Sequence, residues 1–202
     1  MIAPAVVPGL AEQVEAWARI GAAEGRVESV RPACDAVVAD LESRAVPDDV
    51  VLVVRGLDPM RVLRRLHLPG STRRGILDRN HGPEGLVGYA PIAGLEIPDT
   101  AAYALVGVQR GDEYRDLPPR DALADVGRRG RTPLTIEEGL ALVLVAPGAL
   151  RPNHCFSLAG SRRGDRRVPA LWISAGAPKL GWCWEGAPHA WLGLASAAAR
   201  VP

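Results

Sequence analysis

Ten glycines and prolines fall between Leu68 and Asp99, from Pro69-Gly70 to Pro98. Proline cannot donate to a helix or a strand ladder, and glycine weakens both, so no long regular element fits this stretch. An irregular segment of this length inside a compact chain is usually functional or mobile. It divides the chain into a helical part over residues 1–67 and an α+β part over residues 100–202. The 202 residues are enough to bury one sizeable core, so a single globular domain over 1–202 is expected.

The flanking segments carry clearer periodicities. Leu10, Val14, Trp17 and Ile20 recur at helical spacing and predict an amphipathic helix over 9–24. A second helix is predicted over 32–45, with Pro32 near its start. Val50 to Val54 is a β-branched run that reads as a buried strand. Asp58 is placed to cap a helix reaching about Leu66. A strand over Ala101–Gln109, a helix over 119–128, and a helix from Thr132-Pro133 to about Val145 follow, the last with Thr132 as its cap. Val168–Ser174 and Lys179–Trp184 read as a hairpin joined by residues 175–178, and a short helix or turn is expected near Trp191–Ala199. Helices and strands do not alternate in a βαβ series. The predicted class is therefore α+β: N-terminal helices, a mixed or antiparallel sheet and a Trp-rich C-terminal hairpin.

Composition excludes several functions. The net charge of +1 provides no global field for nucleic acid. No apolar run approaches the ~20 residues of a membrane span. The first eight residues contain two prolines and no basic cluster, unlike a signal peptide. Three cysteines without CxxC spacing argue against a disulfide framework or a zinc site, and the cytoplasm is the expected compartment. Neither a phosphate-binding P-loop nor a dinucleotide-binding glycine motif is present, and no metal or cofactor is expected.

The candidate chemistry lies between Arg151 and Leu194. Of 24 Lys and Arg residues only Lys179 is a lysine. The arginine excess, with abundant Ala, Gly and Pro, fits a GC-rich genome, so it says little about function, whereas the one lysine stands out. In Gly160-Ser161-Arg162-Arg163-Gly164-Asp165-Arg166-Arg167, four guanidiniums and a serine can surround an oxyanion; the alternative is a solvated loop holding an Arg–Asp pair. Lys179 is expected to share a strand face with Gly181 and Cys183, where small neighbours leave room for a ligand, or else to be an edge-strand surface lysine. Trp182, with Trp172, Trp184 and Trp191, lies among the last 31 residues; this group can wall a pocket or form the core of a small sheet. His154, beside Cys155, is a candidate anion contact. Two carboxylates are candidates for acid–base work: Asp112, just after a strand, and Asp165. Turn chemistry or ion pairing is the alternative for each.

Two segments carry a family resemblance: Arg131-Thr-Pro-Leu-Thr-Ile-Glu-Glu-Gly139, and the run from Asn153 through Ser174 with its continuation Pro178 to Gly193. Over roughly residues 97–200 they resemble DUF5701, an actinobacterial family without an assigned activity. In size, apparent source and the pairing of Asp112 with a lone Lys179, the chain is also similar to the aziridine-forming proteins of azinomycin-type biosynthesis. That second likeness implies an amine that displaces sulfate within an amino-acid intermediate held on a carrier protein, with a small partner protein assisting. Lys179, Arg162, Arg166 and Arg167 would hold the leaving group, and Asp112 or Asp165 would position or deprotonate the amine. The competing expectation is a non-catalytic module that binds a protein or a small anion through a tryptophan-walled surface.

Overall fold

The computed structural model describes residues 7–44, 46 and 50–202. The sequence readings for residues 1–6, and the end of the second helix at Ala45, lie outside the described residues. Helix α1 (Leu10–Ala23) packs on α2 (Val27–Ser43), and strand β1 (Val50–Val54) follows. Next come α3 (Pro59–Leu63), the short strands β2 (Ile76–Leu77) and β3 (Ala90–Pro91), and β4 (Ala102–Val106). Helix α4 (Pro119–Arg128), β5 (Thr132–Pro133) and α5 (Ile136–Val145) lead into the C-terminal strands. These are β6 (Cys155–Ser157), β7 (Ser161–Arg162), β8 (Arg167–Ser174), β9 (Ala177–Trp184), β10 (Leu192–Leu194), β11 (Ser196–Ala197) and β12 (Ala199–Val201). The fold is α+β.

Two main sheets share one hydrophobic core. One is antiparallel, in the order β1-β4-β12; the other is mixed, in the order β10-β6-β8-β9-β2. Helix α5 packs against both β1 and β8. Gly139 lets α5 approach Leu158, just beyond β6, where a Cβ would stand 2.3 Å from Leu158 Cδ2. The open edge of β1 is closed by side chains of α1. Gln13 donates to Val50 O and accepts from Leu52 N, both at 2.9 Å, and Trp17 donates to Leu52 O at 2.9 Å. Two side chains thus satisfy edge groups that would otherwise pair with another chain or be buried unpaired.

Several boundaries differ from expectation. Helix α2 begins at Val27, so Pro32 sits inside it; proline removes only the bond to Glu28, whose residue is exposed to water. Helix α5 is capped by Thr135, not Thr132. Thr135 and Glu138 form a capping box, with Thr135 N donating to Glu138 Oε2 at 2.7 Å. Thr132 and Pro133 instead pair with β11. Strand β4 is shorter than expected and ends before Gly107, at φ +60°. The stretch near Trp191–Ala199 forms three short strands rather than a helix or turn, because β6, β5 and β4 each offer it a free backbone edge.

Candidate functional site: a tryptophan-walled cavity

The β8–β9 hairpin turns on two residues only, Ala175 (φ 49°) and Gly176 (φ 74°), the left-handed pair that matches strand twist. The tight turn sets the register Trp172↔Lys179 and Ala170↔Gly181. The outer edge of the Trp172 ring then covers Gly181, where a Cβ would come 2.0 Å from it. The space that the sequence reading left for a ligand above Gly181 is therefore filled by the Trp172 indole. The opening lies beyond that ring.

There a cavity of about 650 Å³ is lined by Trp172, Trp182, Trp184 and Trp191, by Cys155 and Cys183, and by Asp78, Asn80, Asn153 and His189. Trp172 meets Trp191 edge-on at 6.0 Å, and Trp182 meets Trp184 at 4.8 Å. The tryptophans serve as wall and as core together. Leu180 on the same strand is fully buried, Trp182 is partly covered, and Trp184 is 51% exposed. Burial pushes the Cys155 and Cys183 thiols up and the His189 imidazole down, so all three are neutral at pH 7.

Lys179 is paired, but not with Asp112. Strand β2 runs parallel to β9 with Ile76 opposite Lys179, and this brings Asp78 Oδ2 to 2.7 Å from Lys179 Nζ. Asp78 Oδ1 also accepts from Asn80 N at 2.8 Å. Burial alone would raise the Asp78 carboxyl. The bonds from Lys179 and Asn80 outweigh it and hold the group below its ordinary value. The Lys179 ammonium lies 5.9 Å from the Trp172 ring centre. Asp78 was not among the sequence candidates because it sits in the irregular stretch. Its one signal was the Asp78-x-Asn80 spacing of a side-chain-capped turn.

The other candidates fall into two groups. Asp112 Oδ2 is held by Arg110 at 2.6 Å and by His154 Nδ1 at 3.1 Å, which separates both Asp112 and His154 from Lys179 in pairing. Neither lines the cavity, although Asn153 and Cys155 on either side of His154 do. The loop around Gly164 forms the second group. Ser161 accepts from Ile136 N at 3.0 Å and so tethers the first turn of α5. Arg162 and Arg166 approach Glu185 at 3.6 and 3.2 Å, while Arg163 and Arg167 approach Asp165 at 3.5 and 3.7 Å. Asp165 also accepts from Arg167 N at 2.9 Å. Arg167 stacks 4.6 Å from the centre of Trp182 and joins this loop to the cavity wall. Glu185, a partner to two arginines, was not foreseen. Among the described residues, no cluster of three or more His, Cys, Asp or Glu can hold a metal ion, and no helix is long and apolar enough to cross a membrane.

The fold and site define an α+β domain with an aromatic cavity beside a carboxylate–lysine pair. Over residues 14–202 the chain matches the family of unknown function DUF5701, and it belongs to that family. The match extends the resemblance seen in the C-terminal half to nearly the whole chain. No curated protein and no solved structure matches it, and nothing in these comparisons supports the likeness to aziridine-forming proteins.

Proposed function

We propose that the protein binds a small organic ligand in the tryptophan-walled cavity, with an apolar or aromatic body against the indoles and a polar end at Lys179 and Asp78. The observation that carries this reading is the cavity itself. Its volume of about 650 Å³ falls within the roughly 300–1,000 Å³ of small-molecule sites, and it combines apolar walls with a few placed polar groups, as such sites do. Three buried free thiols favour the cytoplasm as the compartment.

The finer reading is an enzyme that closes a ring by displacing a sulfate-type group with an amine on a carrier-protein-bound amino-acid intermediate, aided by a small partner protein. Asp78 would occupy the place beside Lys179 first given to Asp112. The amine nitrogen bonds to carbon, the carbon–oxygen bond breaks, the nitrogen's proton passes to Asp78, and sulfate leaves against the Lys179 ammonium.

The two levels separate experimentally. Titration with 8-anilinonaphthalene-1-sulfonate, an aromatic body carrying an oxyanion, should quench tryptophan fluorescence saturably at one site. Trp172→Ala should weaken that binding by about tenfold or more, equivalent to ~1.4 kcal/mol. Unsaturable quenching, or equal affinity in the variant, removes the binding site. Lys179→Ala should fold and lose turnover of a sulfated amine substrate. Saturable binding without turnover in the unmodified protein leaves a non-catalytic binding module.

A further inference from the structure

The wall of the tryptophan cavity sets the sign of the charge it can hold. Among the described residues that line it, Asp78 is the one carboxylate, and there is no lysine or arginine. Burial favours the neutral form of Asp78, but the bonds from Lys179 and Asn80 outweigh it and hold the carboxyl below its ordinary value, so it is ionised at pH 7. Burial keeps Cys155, Cys183 and His189 uncharged. Lys179 meets Asp78 at 2.7 Å and offsets part of its charge, so the indoles decide the balance. A tryptophan ring is negative on its faces and positive at its edge, and a face attracts cations. Trp172 and Trp191 cross at 70°, and Trp182 and Trp184 at 68°, so each pair presents faces in two directions. The chain already uses two of these rings in this way. Arg167 lies 4.6 Å from the centre of Trp182, and Lys179 lies 5.9 Å from that of Trp172, within the ~6 Å reach of cation–π attraction.

The same wall selects among cations. Pro152, Ile173, Ala187 and Leu192 complete it with apolar surface. A primary ammonium entering such a place brings N–H donors that lose their water and need acceptors. A quaternary ammonium brings no N–H, spreads its charge over methyl groups and suits an aromatic wall. The volume of about 650 Å³ leaves room for an apolar or aromatic body beside the charged group.

We propose that the cavity's ligand is an organic cation of the quaternary ammonium class, with its charged group against the indoles and facing Asp78. The proposal rests on the cavity reading and gives the ligand's polar end a sign; Lys179 remains the partner for any oxyanion on the same molecule. Titration calorimetry with two isosteres tests it: 3-hydroxyphenyltrimethylammonium and 3-tert-butylphenol, in which a neutral carbon replaces the charged nitrogen. The unmodified protein should bind the cation about tenfold more tightly than the neutral compound, or better. Asp78→Asn, which keeps the shape of the side chain, should weaken the cation several-fold and strengthen 8-anilinonaphthalene-1-sulfonate, because a negative charge has left the wall. A folding defect would weaken both. Equal affinity for the two isosteres, or tighter binding of the neutral one, overturns the proposal without recourse to any variant. A parallel loss of cation and dye in Asp78→Asn, or no loss of the cation, overturns it as well. Where the dye still quenches saturably in the unmodified protein, the cavity reading survives that failure. Where neither dye nor cation binds, both readings fall.

Discussion

Among the described residues, the two ion pairs with the most buried carboxylates, Glu138–Arg200 and Asp78–Lys179, are finished to different degrees. Glu138 is fully buried, and each of its oxygens accepts two bonds: Oε1 from Tyr103 Oη at 2.8 Å and Arg200 at 2.6 Å, Oε2 from Thr135 N at 2.7 Å and Arg200 at 2.8 Å. Arg200 also donates to Thr132 Oγ1 and Pro133 O. This network joins α5, β4, β5 and β12, and both carboxylate oxygens of Glu138 are fully engaged within it. Asp78 lines the cavity and holds Lys179, 21% exposed, by one short contact of 2.7 Å. Completeness separates a pair that holds elements together from one that can still receive something.

The comparison breaks first at Glu138. Glu138→Ala leaves the Arg200 charge buried and unpaired and should cost about 3–5 kcal/mol, seen as a fall in melting temperature of roughly 2–4 °C per kcal/mol. A loss under 1 kcal/mol would show that the network is slack. Next comes Gly181→Ala. Its methyl collides with the Trp172 ring, an overpacking cost of about 1–3 kcal/mol, and the displaced indole should also disturb dye binding in the cavity. Asp78→Asn should cost less, on the order of 1 kcal/mol, since Lys179 can turn toward water. Because the native Asp78 carboxyl is held low, its contribution is full above the unfolded value near ~3.9 and fades as pH falls through the lower folded value. Asp78→Asn should therefore flatten stability only below about pH 4. The smallest effect belongs to His81. Its folded value is depressed by burial, so stability should decline as pH falls below the unfolded value of ~6.5, and His81→Leu should reduce that slope in urea melts between pH 7 and 5. An unchanged slope would show that His81 is already charged in the fold.

Local signals in the sequence located most elements. The Val50–Val54 run, Asp58 as cap and the helix over 119–128 stand where their residues placed them. The start of α5 was misplaced because Thr132-Pro133 and Thr135 both satisfy local capping rules, and only the reciprocal bond from Glu138 decides between them. The strands after Trp191 have two or three residues each and no alternation of their own, so their identity comes from the partners they meet. The site divided in the same way. Trp182 and Lys179 could be singled out by rarity. Asp78 reaches Lys179 only through a parallel pairing between segments about a hundred residues apart, which no local pattern announces.

Strand β12 has a consequence for how the chain is made. It pairs with β4, nearly a hundred residues earlier, and carries Arg200 to Glu138. During synthesis, every partner of Glu138 except one emerges well before residue 200. Until that arginine arrives, an acid destined for the interior lacks its counter-charge, and β4 has an uncovered edge. Contacts this distant in sequence slow folding, and an open strand edge invites association with other chains. The β1-β4-β12 sheet and the Glu138 network therefore cannot be completed until the segment around residue 200 has been made.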